Sequence, residues 1–228
     1  MTRADEQIKS DVIAQLKSDN RFVAKDIDVA VSDGKVTLSG TVPSYLGVVA
    51  AESNAFNVRG VTHVVNELKV HHPTTMPVPA DDVIAENIRS RLSVNPDINL
   101  RELQVQVNAG VVALQGTVDA YWKKIHAEYL VESEPGVIDI NNYLAVVPTE
   151  SVYDQNIANE IMLSIEASSA VKAEDVSVSV KDGVAVLSGI VPNWSAHKAA
   201  HEAAMFKQGV VDVENYLIVS AGEKRSFE

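Results

Sequence analysis

A nine-residue stretch written three times constrains this chain more than any other feature. It runs Gly34-Lys-Val-Thr-Leu-Ser-Gly40-Thr-Val42, then Gly110-Val-Val-Ala-Leu-Gln-Gly116-Thr-Val118, then Gly183-Val-Ala-Val-Leu-Ser-Gly189-Ile-Val191. Each copy opens on a glycine suited to the φ > 0 position of a hairpin turn and continues as a strand with Leu at its centre. Each ends Gly-x-Val, where a strand glycine marks a bend or the close approach of a neighbouring backbone. A third glycine recurs farther on as Gly60, Gly136 and Gly209, where a helix exit takes left-handed geometry.

The segments around the glycines repeat at the same offsets. An apolar stripe at i, i+4, i+8 reads Ile8, Val12, Leu16, then Ile84, Ile88, Leu92, then Ile157, Ile161, Ile165, which predicts an amphipathic first helix. An alternating strand follows, with Ile27, Val29, Val31 in the first copy, and it turns at Asp33-Gly34, Ala109-Gly110 or Asp182-Gly183 into the nine-residue strand. Next comes a second helix, for which Ser44, Asp119 and Asn193 are candidate N-caps. An aromatic stands at its start (Tyr45, Tyr121, Trp194), and small residues line its shared stripe (Ala51 and Ala55, Ala127 and Val131, Ala200 and Ala204). The closing strand carries Asn66, Asn142 or Asn215 between apolar neighbours.

A strand, a helix and a strand in series imply a right-handed crossover, so the second and third strands are parallel neighbours. The predicted class is α+β: three tandem α-β-β-α-β repeats, each a three-stranded mixed sheet with two helices on one face. The repeats span 5–70, 81–147 and 153–219. A Pro-rich linker covers 71–80, a shorter one 148–152, and 220–228 is expected to be a flexible tail.

Charge and motif content narrow the function classes. The formal net charge is −12, which repels phosphate backbones, so nucleic acid is not an expected partner. With no cysteine, disulfides and thiolate catalysis are excluded. No run of 18 apolar residues is present, and the segment after Met1 has no apolar core of a leader. The expected location is the cytoplasm, although a chain with its leader removed would read the same. Nucleophile elbow, P-loop and dinucleotide fingerprint are all absent, and no enzyme activity or cofactor is expected.

These residues resemble the BON domain, a small bacterial α/β module of osmotic-shock and envelope-maintenance proteins. The resemblance is carried by the amphipathic opening helix, the Gly-x-Val-x-Leu-x-Gly-x-Val strand, the Ala-rich second helix and the closing Val-x-Asn-x-Leu strand. It implies a module without catalytic residues that binds phospholipid or protein and serves envelope integrity and stress.

Three groups of residues are candidates for function. Tyr121-Trp122-Lys123-Lys124 at a helix start is a cluster that could sit in an anionic headgroup layer, extended by Arg89 and Arg91. The outer sheet faces differ between copies. Thr37, Ser39, Glu67 and Lys69 are polar in the first, whereas Val111, Ala113, Tyr143 and Ala145, and then Val184, Val186, Tyr216 and Ile218, are apolar. Such patches are expected to be covered, by one another or by another subunit, which makes a protein partner or self-association the leading expectation. His197 and His201 lie at i, i+4, but the order H-x-x-x-H-E departs from the zinc-protease motif. A solvated helix face is expected there and no metal site. Asn66, Asn142 and Asn215 are expected to satisfy loop backbone beside the crossover helix.

Overall fold

The computed structural model describes residues 4–75 and 77–220. The first repeat comprises α1 (Asp5–Lys17), β1 (Ile27–Ser32), β2 (Lys35–Val42), α2 (Tyr45–Phe56) and β3 (His63–Val70). The second comprises α3 (Asp81–Ser93), β4 (Leu103–Asn108), β5 (Val111–Val118), α4 (Tyr121–Val131) and β6 (Asp139–Val146). The third comprises α5 (Asp154–Glu166), β7 (Val176–Lys181), β8 (Val184–Val191), α6 (Trp194–Met205) and β9 (Asp212–Val219). The fold is α+β, and in each sheet the nine-residue strand is central, antiparallel to the strand before it and parallel to the strand after its helix. Apart from Ser220, the tail expected at 220–228 lies outside the described residues.

The predicted stripes are the cores. Ile8, Val12 and Leu16 are buried against Val36, Leu38, Ala51 and Ala55, and the same positions pack in the other copies. Alanines on the second helix bring its axis close to the sheet, so each layer is thin and a small repeat can close its core.

The hairpin glycine has two reasons to be glycine. Gly34, Gly110 and Gly183 have φ near +76° to +77°. A Cβ at any of them would stand 2.7 Å from the carbonyl oxygen of Gly60, Gly136 or Gly209, which lies in the turn four or five residues past the second helix and not at the helix end itself. Backbone bonds fasten the same approach, with Thr62, Ile138 and Val211 amides donating to the Gly34, Gly110 and Gly183 carbonyls at 2.9, 3.0 and 2.9 Å.

A tie not expected from the sequence holds the hairpin turn from its other side. The first residue of each opening helix turns its carboxylate onto the turn's two amides. Asp5 accepts from Asp33 and Gly34 at 2.9 and 3.1 Å, Asp81 from Ala109 and Gly110 at 2.7 and 2.9 Å, and Asp154 from Asp182 and Gly183 at 2.8 and 2.9 Å. Both turn residues are left-handed, as a type I′ turn demands. Asp33 and Asp182 tolerate this better than Ala109, which is held at φ +49°.

The second helices differ at their starts. Ser44 and Asn193 cap as expected, accepting from Gly47 and Ala196 amides at 3.2 and 2.9 Å. Asp119 does not cap: α4 begins after Ala120, and the Asp119 carboxylate pairs with Lys123 at 2.8 Å instead. The closing-strand asparagines also act differently from expectation, because they bond the helix and not a loop. Asn66 donates to the Val48 carbonyl and Glu52, and Asn142 to the Lys124 carbonyl and Glu128. In the third copy His201 stands where the glutamate would be, and the Asn215 amide nitrogen is buried without a partner.

Relieving the left-handed alanine is expected to stabilise the second repeat. Ala109→Gly should raise the stability by about 1 kcal/mol in urea titration. Asp81→Ala, which orphans two turn amides, should lower it by about 1–3 kcal/mol. An unchanged midpoint for both variants would show that the turn is not strained and not held by the carboxylate.

Candidate functional site

Three surfaces carry the residues singled out by the sequence, and the first is internal. The aromatic at each second-helix start reaches into the next repeat. Tyr45 packs against the core of the second repeat. Tyr121, 7% exposed, belongs to the core of the third and bonds Asp212, with the His201 ring edge-on at 6.4 Å. Trp194 stacks on Phe56 of the first repeat with ring centroids 3.7 Å apart, and His197 stacks on the indole from its own helix at 4.0 Å. The contacts therefore run from first to second to third and back to first, closing a ring around α2, α4 and α6.

This ring corrects the reading of the two histidines. They are half-buried in the seams and do not form a solvated face. Burial, with His201 adding to it, lowers the pKa of His197 to about 4, and burial lowers that of His201 against the opposing pull of Glu202 and Asp212. Among the described residues no cluster of three or more His, Cys, Asp or Glu is arranged to hold a metal ion. In the seam between first and second repeats, burial and then the neighbouring Glu128 raise the Glu132 pKa to about 7. Burial, followed by the charges of Glu128, Asp139, Glu132 and Glu52, pushes the Tyr45 phenol up to about 12.

The second surface is the start of α4, and the structure disperses the cluster expected there. Tyr121 is committed to the seam with the third repeat. Arg91 pairs with the buried Glu134 at 2.9 Å, and Arg89 donates to the Val105 carbonyl at 2.7 Å. What remains at the surface is Trp122, with Lys123 5.7 Å from its ring centre, together with Lys124. Trp122 adjoins Phe206 of the third repeat at 6.3 Å, a ring that sequence reasoning did not single out because it follows α6 with no counterpart in the other copies. The two aromatics, Lys123, Lys207, Pro148 and Glu150 line an open groove of about 240 Å³ between the repeats.

The third surface is formed by the outer sheet faces. The seam contacts come from the starts of the second helices and leave these faces exposed, so the repeats do not cover one another there. Tyr143 is 64% exposed, Tyr216 62% and Ile218 64%, while Val111, Ala113, Val184 and Val186 are half-buried by their own neighbours. Ile190, not singled out beforehand, extends the third face at 59% exposure. Its outward parity follows from its pairing with Ile218 and could have been read from the strand alternation.

The seam chemistry sets the stability's pH dependence. His197 is held neutral, so its contribution is complete above pH 6.5 and is lost as pH falls towards 4. Glu132 is held protonated, so its contribution is complete below pH 4.5 and is lost as pH rises through about 7. Thermal midpoints measured from pH 4 to 9 should fall at both ends. His197→Phe should flatten the acid limb and Glu132→Gln the alkaline one; limbs unmoved by these changes would refute the assignments.

Among the described residues no helix is long and apolar enough to cross a membrane. A family model described as the BON domain matches residues 4–71, 80–148 and 153–221. The chain is 31% identical over 143 residues to the osmotically-inducible protein Y of Escherichia coli, covering 61% of this chain and 71% of that protein. It is 29% identical over 134 residues to the 21 kDa hemolysin of Actinobacillus pleuropneumoniae, covering 58% of this chain and 66% of that one. Among solved structures, the C-terminal domain of CdsD from the type III secretion system of Chlamydia trachomatis aligns over 96% of this chain and 100% of its own, at 15% identity and a TM-score of 0.26.

Proposed function

The chain belongs to the BON-domain family, in three tandem copies, and from that premise we propose that it is a non-catalytic binding and scaffold protein of bacterial stress or envelope physiology. It acts through protein contacts or self-association. One observation carries the reading. The residues that recur in all three copies are engaged in folding each repeat, and those that differ lie in the seams between repeats or on the outer sheet faces. The glycines hold the hairpin and the turn after the second helix, the aspartates hold the hairpin turn, and the asparagines tie strand to helix in the first two copies. Tyr143, Tyr216, Ile190 and Ile218, by contrast, offer apolar surface in two copies only. The relative named for osmotic induction supports a stress setting.

A second reading has its own observation. Trp122 and Phe206 present aromatic surface beside Lys123 at the groove between second and third repeats, an arrangement suited to a lipid headgroup layer. The chain's acidic excess opposes it on an anionic membrane. Flotation with vesicles rich in anionic phospholipid at low salt separates the two. The scaffold reading expects the protein to stay at the bottom of the gradient. Flotation abolished by Trp122→Ala with Lys123→Ala would replace it with peripheral lipid binding.

A further inference from the structure

The third repeat's sheet differs from the other two in the charges at its edges, and that difference selects an occupant. Its outer face presents Val184, Val186 and Ile190 on the central strand and Tyr216 and Ile218 on β9. The flanking strands carry opposite charges at the same height. Lys181 on β7 pairs in register with Val184, and Val184 with Asp212 on β9; Glu214 lies two residues farther along that strand. Asp212 is occupied by Tyr121 across the seam, and Glu214 accepts from the Tyr216 hydroxyl at 3.2 Å on the exposed side. The first two sheets lack the combination. At the same height the first carries Ser32, Lys35 and His63, and the second Asn108, Val111 and Asp139.

We propose that the outer face of the third sheet is a self-complementary docking surface for the same face of a second copy, related by a two-fold axis parallel to the strands. This rests on the self-association reading above and deepens it by naming the surface. Such an axis keeps height along the strands and lays β7 of one copy across β9 of the other, so Lys181 of each copy lies opposite Asp212 of the other with Glu214 two residues farther along, giving two such edge contacts. It also places the two central strands face to face, where Val186 and Ile190 oppose their own copies across the axis. A two-fold axis perpendicular to the strands would instead stack β7 on β7 and β9 on β9 with their heights reversed, so Lys181 of one copy would meet neither Asp212 nor Glu214 of the other. The apolar centre supplies attraction and the edge charges choose the orientation. Aligned packing of twisted sheets, at about −30°, keeps the pairs within a lysine's reach.

The area sets the class of contact. Three strands of up to eight residues span about 26 Å by 14 Å at the usual rise and spacing, so each copy presents a face of roughly 360 Å². The total falls below the ~1,000 Å² expected of a stable interface, which places the contact among weak, reversible ones.

Sedimentation equilibrium of the full chain from micromolar to millimolar concentration tests this. The unaltered protein should show a concentration-dependent dimer. Ile190→Lys, a change at an exposed position that leaves the core intact, should weaken it at least tenfold. Lys181→Glu and Glu214→Lys should each weaken it alone, and an equimolar mixture of the two should recover it, because both edge pairs are then opposite in sign. A protein monomeric throughout overturns both this contact and the self-association reading. A dimer indifferent to all three changes but lost on Tyr143→Lys overturns this contact and leaves self-association standing. A monomer whose flotation on anionic vesicles depends on Ile190 assigns the face to a membrane and overturns the proposal.

Discussion

Each repeat depends on a hairpin turn pinned from two sides by groups far away in sequence. A type I′ turn needs two successive residues in left-handed geometry, which costs free energy for any residue but glycine and leaves two amides pointing outward. The carboxylate of the opening helix's first residue accepts both amides, and the turn after the second helix presses its carbonyl into the space a side chain would fill. Turn, first helix and second helix thereby meet at one point. The sheet's register, and with it which residues face inward, follows from that point. Ala109 shows how strongly this junction is determined, since an alanine is held left-handed where the other copies use aspartate.

The same junction explains what was readable in the sequence. A glycine required by both dihedral and space cannot drift, so nine glycines at matching offsets revealed the architecture without any coordinates. The aspartates Asp5, Asp81 and Asp154 recur at the same offsets and were equally visible, but their partners lie 28 and 29 residues away. Nothing local marks them as turn-holding groups. On a helix's first residue an aspartate already has a sufficient reason in the helix dipole. Asp119 misled for the related reason that a capping residue and an i,i+4 partner for Lys123 look alike in sequence.

Seams between repeats were the least legible part. The recurring aromatic announced a slot without saying whose core it fills, because each repeat's helices already had a buried stripe assigned. His197 was assigned to solvent for that reason: its own repeat has no use for it, and only the return of Trp194 to Phe56 encloses it. In the candidate lipid cluster the same blindness worked in reverse. Tyr121 and Arg91 looked available together, yet the first is consumed by the neighbouring repeat and the second by Glu134. Periodicity identifies the face a helix buries against its own sheet, and it is silent about a second face buried by a neighbour.

Closing the ring has a consequence for where function can sit. A head-to-tail arrangement of three linked copies uses the N-terminal end of every second helix, so these ends, the most varied in charge and aromaticity, are spent on holding the repeats together. Apart from edge positions such as Asp212, which bonds Tyr121, the outward sheet faces lie away from the stacked aromatics of the seams. A face buried in every copy would be kept apolar by packing alone, and a face exposed in every copy would tend to be polar, as Thr37, Ser39, Glu67 and Lys69 are. Exposed Tyr and Ile on β6, β8 and β9 fit neither rule. Folding of the second and third repeats buries little of these side chains, which is why the proposed contact is placed on those of the third.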